Sequence, residues 1–543
     1  MTPRSSDTDA CPGALRLHAA ADGLLARVRL PGGMLSGAQL RALRELAEEF
    51  GDGHLELTSR ANLQLRAVKE GDSAALAARL RSAGLLPSTT HDNVRNIAAP
   101  PLSGAPLRTL VARLDLALQA DAGLARLPGK FLFAVGRVPL AADVAAIPPD
   151  AAIPPNTAGP SGIVDSPGTA GPPGAVIPAQ RSDGGADGEL FAIRFAGHDT
   201  GLLAGFDDVV PVLIAAAHAF LAERAAQGGD GAAAWRLREL TDGPARVSAR
   251  VVAATGLTPV PAPIGTPAGN AEPGDLIGVV PQEDGLAAVA ALVPLGRLAG
   301  VPMRVLEEAD LLVVTPWRGI VVADVPPEAA STWADRLAGA GLAVSPGSPW
   351  SGVTACAGRP GCAKSLADVR ADAAATTRFV DGLPVHWVGC ARACGSPAGR
   401  HVRAEATGDG YLITRFPVTG DARAVHVPAG RPGGGPRPTA GESGPVGPST
   451  RAAGSPRIGH AVPFPADTGA DRPVPDGLVK ARADDDQPVT DGLVTDVRAL
   501  GRTRTDGPVT QVPAPEPAAT GVLAPGRARV GGLEDAVAVA RRP

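Results

Sequence analysis

The sequence predicts an α+β protein built around a duplicated strand, helix, strand, strand unit, and three observations predict it. Residues 14–72 set short apolar strands around one amphipathic helix, residues 276–325 repeat that order, and four of the five cysteines crowd between Cys356 and Cys394. Of 543 residues, 68 are Gly and 55 are Pro, so part of the chain cannot pack. Hydrophobic residues reach 44% but aromatics only 3%, which leaves the cores to Ala, Val and Leu.

The first unit reads element by element. LLARVRL, Leu24 to Leu30, has strand composition, and Pro31-Gly32-Gly33 turns the chain. Ser36 is placed to cap a helix whose Leu40, Leu43, Leu46 and Phe50 fall on one face, and Gly51 is placed to end it. Strands follow at HLELT and LQLRAV. This is the order of a ferredoxin-like unit.

The second unit has a helical stretch followed by DLLVVT and GIVVADV. LELTSRANLQL and LVVTPWRGIVV then occupy equivalent places, which pairs Thr58 and Arg60 with Thr315 and Arg318. Residues 141–188 hold hardly any large apolar side chain and read as a disordered insertion in a lobe spanning 73–255. Residues 256–275 read as a linker, 326–415 as a second lobe, and 416–543 as a disordered Pro/Gly-rich tail. A chain ending near residue 415 is therefore expected to keep its fold.

Charge excludes some functions. Lys and Arg total 51 against 55 Asp and Glu, so no basic field recruits nucleic acid. No run of eighteen apolar residues is present, and MTPRSSDTDACPG lacks the apolar core of a signal peptide, so a cytoplasmic protein without membrane contact is expected.

The cysteines carry the chemistry. TACAGRPGC and CARAC give C-x5-C and C-x3-C, wider than the knuckles of structural zinc sites. Two Gly-rich loops around a larger object suit an iron-sulfur cluster on Cys356, Cys362, Cys390 and Cys394 better than zinc or unligated thiols. Arg359, Lys364 and Arg392 lie nearby as possible counter-charges, while Cys11 stands alone. LTSRANLQLR places Thr58, Arg60, Asn62, Gln64 and Arg66 on one face if the stretch is extended, which is either a solvated sheet face or an anion site. HDNVRN adds Arg95 and LPGKF adds Lys130.

The cysteine pair, the duplicated unit, LTSRANLQLR and DNVRN together resemble the sulfite and nitrite reductase superfamily. The resemblance spans about residues 14–415. It implies two ferredoxin-like half-units plus two larger α/β lobes related by pseudo-twofold symmetry, with a [4Fe-4S] cluster beside a tetrapyrrole. It implies that Arg60, Arg95 and Lys130 act on a bound anion while Thr58, Asn62, Gln64 and Arg66 bind substrate. The assimilatory reductases carry PRKFK where this chain reads Pro128-Gly129-Lys130-Phe131-Leu132, so an arginine and a lysine are missing.

TACAGRPGCAKSLADVRADA, HWVGCARACG and LPGKFLFAV are more similar to the precorrin-3B synthase branch. That branch implies O2-dependent hydroxylation of precorrin-3A at C20 with γ-lactone formation in cobalamin biosynthesis, a mononuclear non-haem iron, and an external donor such as ferredoxin or an NAD(P)H-dependent reductase. No G-x-G-x-x-G follows a strand, so the chain supplies no nucleotide site of that kind itself. His54, His91 and His386 lie near the relevant segments, though each reads more simply as a packed or solvated side chain. The alternatives are a sirohaem-dependent nitrite or sulfite reductase and a cluster-bearing protein without enzymatic activity.

Overall fold

A computed structural model describes residues 11–148, 190–228, 234–260, 276–397, 399–416, 423–428 and 531–542. These belong to one compact unit, 1–432 together with 527–543; residues 433–526 are a second unit outside the described residues.

The first half-unit comprises β1 (His18–Ala20), β2 (Gly23–Val28), β3 (Met34–Leu35), α1 (Gly37–Phe50), β4 (Leu55–Leu57), β5 (Leu63–Val68) and α2 (Ser73–Ser82). A capping box starts α1: Ser36 Oγ accepts the Gln39 amide at 3.2 Å, and Gln39 Oε1 accepts the Ser36 amide at 3.0 Å. The first lobe follows with β6 (Ile97–Ala98), α3 (Ala105–Ala120), β7 (Phe133–Val135), β8 (Val144–Ile147), β9 (Leu190–Phe195), β10 (His198–Gly205), α4 (Val209–Gln227) and α5 (Gly243–Thr255).

The second half-unit contains β11 (Gly278–Pro281), β12 (Ala287–Leu292), β13 (Arg297–Leu298), α6 (Val301–Leu306), β14 (Leu311–Val314), β15 (Gly319–Val325) and α7 (Pro327–Gly339). The second lobe has β16 (Val353–Ala355), α8 (Val369–Thr376), β17 (Val385–Val388), β18 (His401–Ala406), β19 (Gly410–Phe416), β20 (Arg423–Pro428) and α9 (Gly531–Arg541).

The half-units exchange a strand. Their sheets run β1-β2-β5-β4-β13 and β11-β12-β15-β14-β3, so each ends on two residues from the other half. Arg297 pairs with Glu56 and Leu298 with Leu55, while Leu312 pairs with Leu35 and Val313 with Met34. The exchanged strands follow matching turns, Pro31-Gly32-Gly33 and Pro294-Leu295-Gly296, whose second and third residues all have positive φ. One apolar core joins both halves, and it includes Leu76 and Leu80 of α2 with Ala330 and Leu337 of α7. Both half-units therefore extend beyond the expected limits of 72 and 325.

Their hairpins match residue by residue. Thr58 and Thr315 each accept, through Oγ1, the amide four residues on; Ala61 and Arg318 share a left-handed φ of 56° and 64°, and Ala67 and Asp324 share a φ of 58° beside the sheet bulges. Arg318 thus corresponds to Ala61, and Trp317 to Arg60, one place from the expected pairing. A side chain in the left-handed region leaves the turn in another direction from its neighbour.

The lobes also repeat. Sheets β10-β9-β8-β7-β6 and β16-β17-β18-β19-β20 each join three strands in parallel and the next two antiparallel. In this scheme β20 corresponds to β10, and α9, packed on β18 and β19, corresponds to α4. Two boundaries are corrected by it. Residues 423–428 and 531–541 are a strand and a helix of the second lobe rather than tail, and residues 144–147 are strand β8 rather than insertion. A strand could not be read there because four small apolar residues followed by Pro148 show no alternation. Residues 149–188, 261–275, 417–422 and 429–530, within the stretches where disorder was expected, lie outside the described residues.

Helix α4 is long and apolar enough to cross a membrane, but Val209, Val212, Leu213, Ala216 and Phe220 are spent in the core of the first lobe. Glu223 on α4 accepts Arg246 and Arg250 of α5, each at 2.5 Å, and these bonds hold its carboxyl at about 2, below the usual 4.5. The ionised form is the one favoured by folding, so its contribution is complete above pH 4.5 and is lost as pH falls toward 2. Glu223→Gln is expected to flatten the acid limb of a thermal-melt series over that window.

Candidate functional site

The free faces of the two half-unit sheets differ. Across the first, Arg27 pairs with Gln64, Gln64 with Glu56, and Glu56 with Arg297, a polar row over four strands. In the second, Val321 and Ala323 take the places of Gln64 and Arg66 and bury themselves with Ala288, Ala290 and Val313. Among the described residues, the first face is the polar one.

Its cations are partly those expected. Arg60, half-buried, forms neither an ion pair nor a side-chain hydrogen bond among the described residues. Burial, and then the charge of Arg236, pulls its pKa below the ordinary arginine value. Arg27 and Arg29 join it. Arg29 is 2% exposed, its Nε lacks a partner among the described residues, and burial with the Arg27 charge pushes it down to about 9. Arg27 is lowered by burial as well and donates to Gln64 Oε1 at 3.0 Å. These guanidiniums, without a carboxylate partner among the described residues, are held together at an electrostatic cost that a bound anion would relieve. Their signal was present in LLARVRL, where arginines alternate with apolar residues at period two.

Lys130 lies on a turn closed by Phe131, with Nζ 4.9 Å over the Trp235 ring, next to Arg236. Asn96 holds that turn by donating to Gly129 O at 2.9 Å, while Asp92 accepts the amides of Ala14 and Leu15. DNVRN is therefore largely a bracket for other segments. Arg236 is bound to buried Asp143 at 2.7 Å.

Other expected binders prove structural. Arg95 is buried in a two-pronged pair with Asp115 on α3, both contacts 2.7 Å, so its fork is occupied. Thr58 and Asn62 belong to the turn before β5, which breaks the even-numbered face: Thr58 Oγ1 accepts two amides and Asn62 Oδ1 accepts the Leu30 amide. Arg66 grips Asp22 at 2.8 and 2.9 Å and donates to Gly361 O at 2.6 Å, tying the sheet to the loop between Cys356 and Cys362. These assignments separate experimentally. Arg60→Glu is expected to weaken tetrapyrrole binding about tenfold or more in an absorbance titration with melting unchanged. Arg95→Ala leaves Asp115 uncompensated and is expected to cost about 3 kcal/mol of stability.

The cysteine loops leave the ends of parallel neighbours β16 and β17, where α/β sheets place their sites. They are stitched together: Leu366 N donates to Gly389 O at 2.7 Å, and Gly389 N donates to Cys356 Sγ at 3.3 Å. A β-carbon on Gly389 would stand 1.8 Å from Ser365 Oγ, so only glycine lets the loops close. All four thiols are free. Arg370 fastens the arrangement to the sheet through Cys356 O at 3.1 Å and Glu56 at 2.6 Å. A cleft of about 560 Å3 opens beside Ala357 and Gly361, lined also by Trp350, Arg297 and Arg370.

Free thiols on two clamped loops, with an amide aimed at sulfur, fit a [4Fe-4S] cluster, in which each thiolate takes a different iron. No three His, Cys, Asp or Glu side chains converge on one metal ion among the described residues. A ligand set for a mononuclear iron is not shown among them. His91 uses both ring nitrogens on Asp121 O and on Thr90 and Ser88, His386 uses both on Thr354 and Cys394 O, and His54 bonds Asp52 O. Lys364 and Arg392 are exposed.

Residues 18–83 match the nitrite/sulfite reductase ferredoxin-like half domain. The chain is 41% identical over 80 residues to a ferredoxin-nitrite reductase of Leptolyngbya laminosa, 14% of this chain and 16% of that enzyme. It is 27% identical over 428 residues to a precorrin-3B synthase of a Sinorhizobium species, 76% of this chain and 83% of that protein. The structure of the Mycobacterium tuberculosis NirA protein superposes with a TM-score of 0.57 at 19% identity, covering 78% of this chain and 81% of that one. The chain thus carries a nitrite/sulfite reductase ferredoxin-like half domain over residues 18–83 and shares its fold across both halves with NirA.

Proposed function

We propose that this oxidoreductase is a precorrin-3B synthase, hydroxylating precorrin-3A at C20 with O2 while a ring acetate closes a γ-lactone. The observation that carries the reading is Leu132. It is 3% exposed, its amide is bound to Asp143 Oδ2 at 2.8 Å, and it stands where the reductases bring a second lysine toward their small anion. A buried leucine gives neither charge nor proton there. The long match to a precorrin-3B synthase supports the same reading.

Arg27, Arg29, Arg60 and Lys130 suit a polycarboxylate: guanidiniums take carboxylates in pairs, and several spaced cations fix a macrocycle in orientation as well as place. Arg66 and Arg370 keep the cysteine loops against the same sheet. When bound, the cluster supplies electrons one at a time. One oxygen atom enters the C20 hydroxyl and the other leaves as water, which consumes two electrons and two protons from an external donor. Ferredoxin or an NAD(P)H-dependent reductase meets that need. No step is assigned to a mononuclear iron.

Reductant, precorrin-3A and 18O2 are expected to give a product with one 18O on the C20 hydroxyl, read by mass spectrometry, with nitrite and sulfite poor substrates. Rapid nitrite or sulfite reduction by sirohaem-loaded protein that leaves precorrin-3A untouched would replace this reading with the sirohaem reductase.

A further inference from the structure

We propose that Arg318 is a positioning residue of the cysteine centre, a fixed cation held against the cluster to raise its reduction potential. The inference rests on the cluster reading above. Arg318 leaves its turn with a left-handed φ of 64°, and its stem crosses Gly296, where a β-carbon would stand 2.6 Å from Arg318 Cδ. The guanidinium arrives at the cysteine loops. Its Nη2 lies 3.1 Å from where a β-carbon on Gly395, the residue after Cys394, would stand, and the His386 ring lies 3.5 Å from the same point.

Nothing else occupies this fork. Among the described residues Arg318 forms neither an ion pair nor a side-chain hydrogen bond; burial and then the Arg370 charge disfavour its cation, and the more distant fields of Glu56 and the Cys356 thiol favour it. Neighbouring Arg370, by contrast, has Glu56, and Arg66 has Asp22. Both ring nitrogens of His386 are already engaged, on Thr354 Oγ1 at 2.8 Å and Cys394 O at 3.0 Å. A half-buried cation with no direct partner is suited to a place where an anion is to come, and a cluster on four thiolates is an anion that gains one more negative charge on reduction. The nearby cation stabilises the reduced form more, so the potential rises.

The test uses full-length protein with its cluster, with Arg318→Gln and Arg318→Lys compared by iron and sulfide assay and by an EPR-monitored redox titration. Arg318→Gln is expected to keep iron and sulfide but lower the one-electron reduction constant at least tenfold, about 59 mV, while Arg318→Lys stays near wild type. Cluster loss in the glutamine variant with retention in the lysine variant also supports the role. An unchanged potential in Arg318→Gln, equal shifts in both variants, or cluster loss in both would overturn it. Wild-type protein without iron would instead sink the cluster reading, and this proposal with it.

Discussion

Serine at Cys356, Cys362, Cys390 or Cys394 is expected to bleach the brown absorption of anaerobically purified protein and to drop its iron from about four per chain toward zero when all four are replaced. Each thiolate holds one corner, and a hydroxyl is a much poorer iron ligand at neutral pH. Cys11→Ser is the control. Cys11 acts electrostatically on Arg27, Arg29 and Arg60 and its carbonyl accepts Asn93 Nδ2, and its loss is expected to leave iron and absorption intact. Full iron content in the quadruple variant would refute the cluster.

Ending the chain at residue 415 is expected to collapse the second lobe and release the cluster, the reverse of what composition alone suggests. The cut removes β20 from the sheet edge and α9 from its face. Helix α9 buries Val537 and Ala538, and Arg541, 3% exposed, donates to Leu383 O and Ser351 O at 2.8 Å and to Val380 O at 3.3 Å. Arg378 adds pairs to Glu534 and Asp535. Together these are worth on the order of 5 kcal/mol, against a typical domain stability of about 5–15 kcal/mol. Replacing residues 433–526 by a short linker, which keeps both elements, is expected to preserve melting and iron content. Equal melting temperatures for the two constructions would show that α9 contributes nothing.

Much of this was legible, and the failures share a cause. HLELT, LQLRAV, DLLVVT and GIVVADV declared themselves because apolar strands of this length leave a pattern, and Ser36 declared a helix because capping chemistry is local. The exchanged strands are two residues long, too short for any period. Arg95 looked like a ligand because its partner Asp115 is twenty residues away on α3, and spacing does not reveal which cations are already neutralised. The cysteines were plain because thiols are scarce in this chain. Arg318 was visible as a residue but not as a site, because a single left-handed turn position decides where its side chain goes. Helix α9 was hidden behind about a hundred Gly- and Pro-rich residues, and only the repeat of the lobe topology explains it.

The exchanged strands also set a timetable. During synthesis the sheet holding β4 cannot gain its outer strand until Leu298 has emerged, and β3 waits for Leu312 and Val313, more than half the chain after its own appearance. A nascent chain of the first 275 residues thus carries an open backbone edge at β4 and an orphan β3, the surfaces on which another copy can pair by mistake. Conversely, residues 1–275 and 276–543 made as two polypeptides have a template for finding each other. Each offers the short strand that the other lacks, so co-expression is expected to yield a nicked, complete protein where either piece alone aggregates.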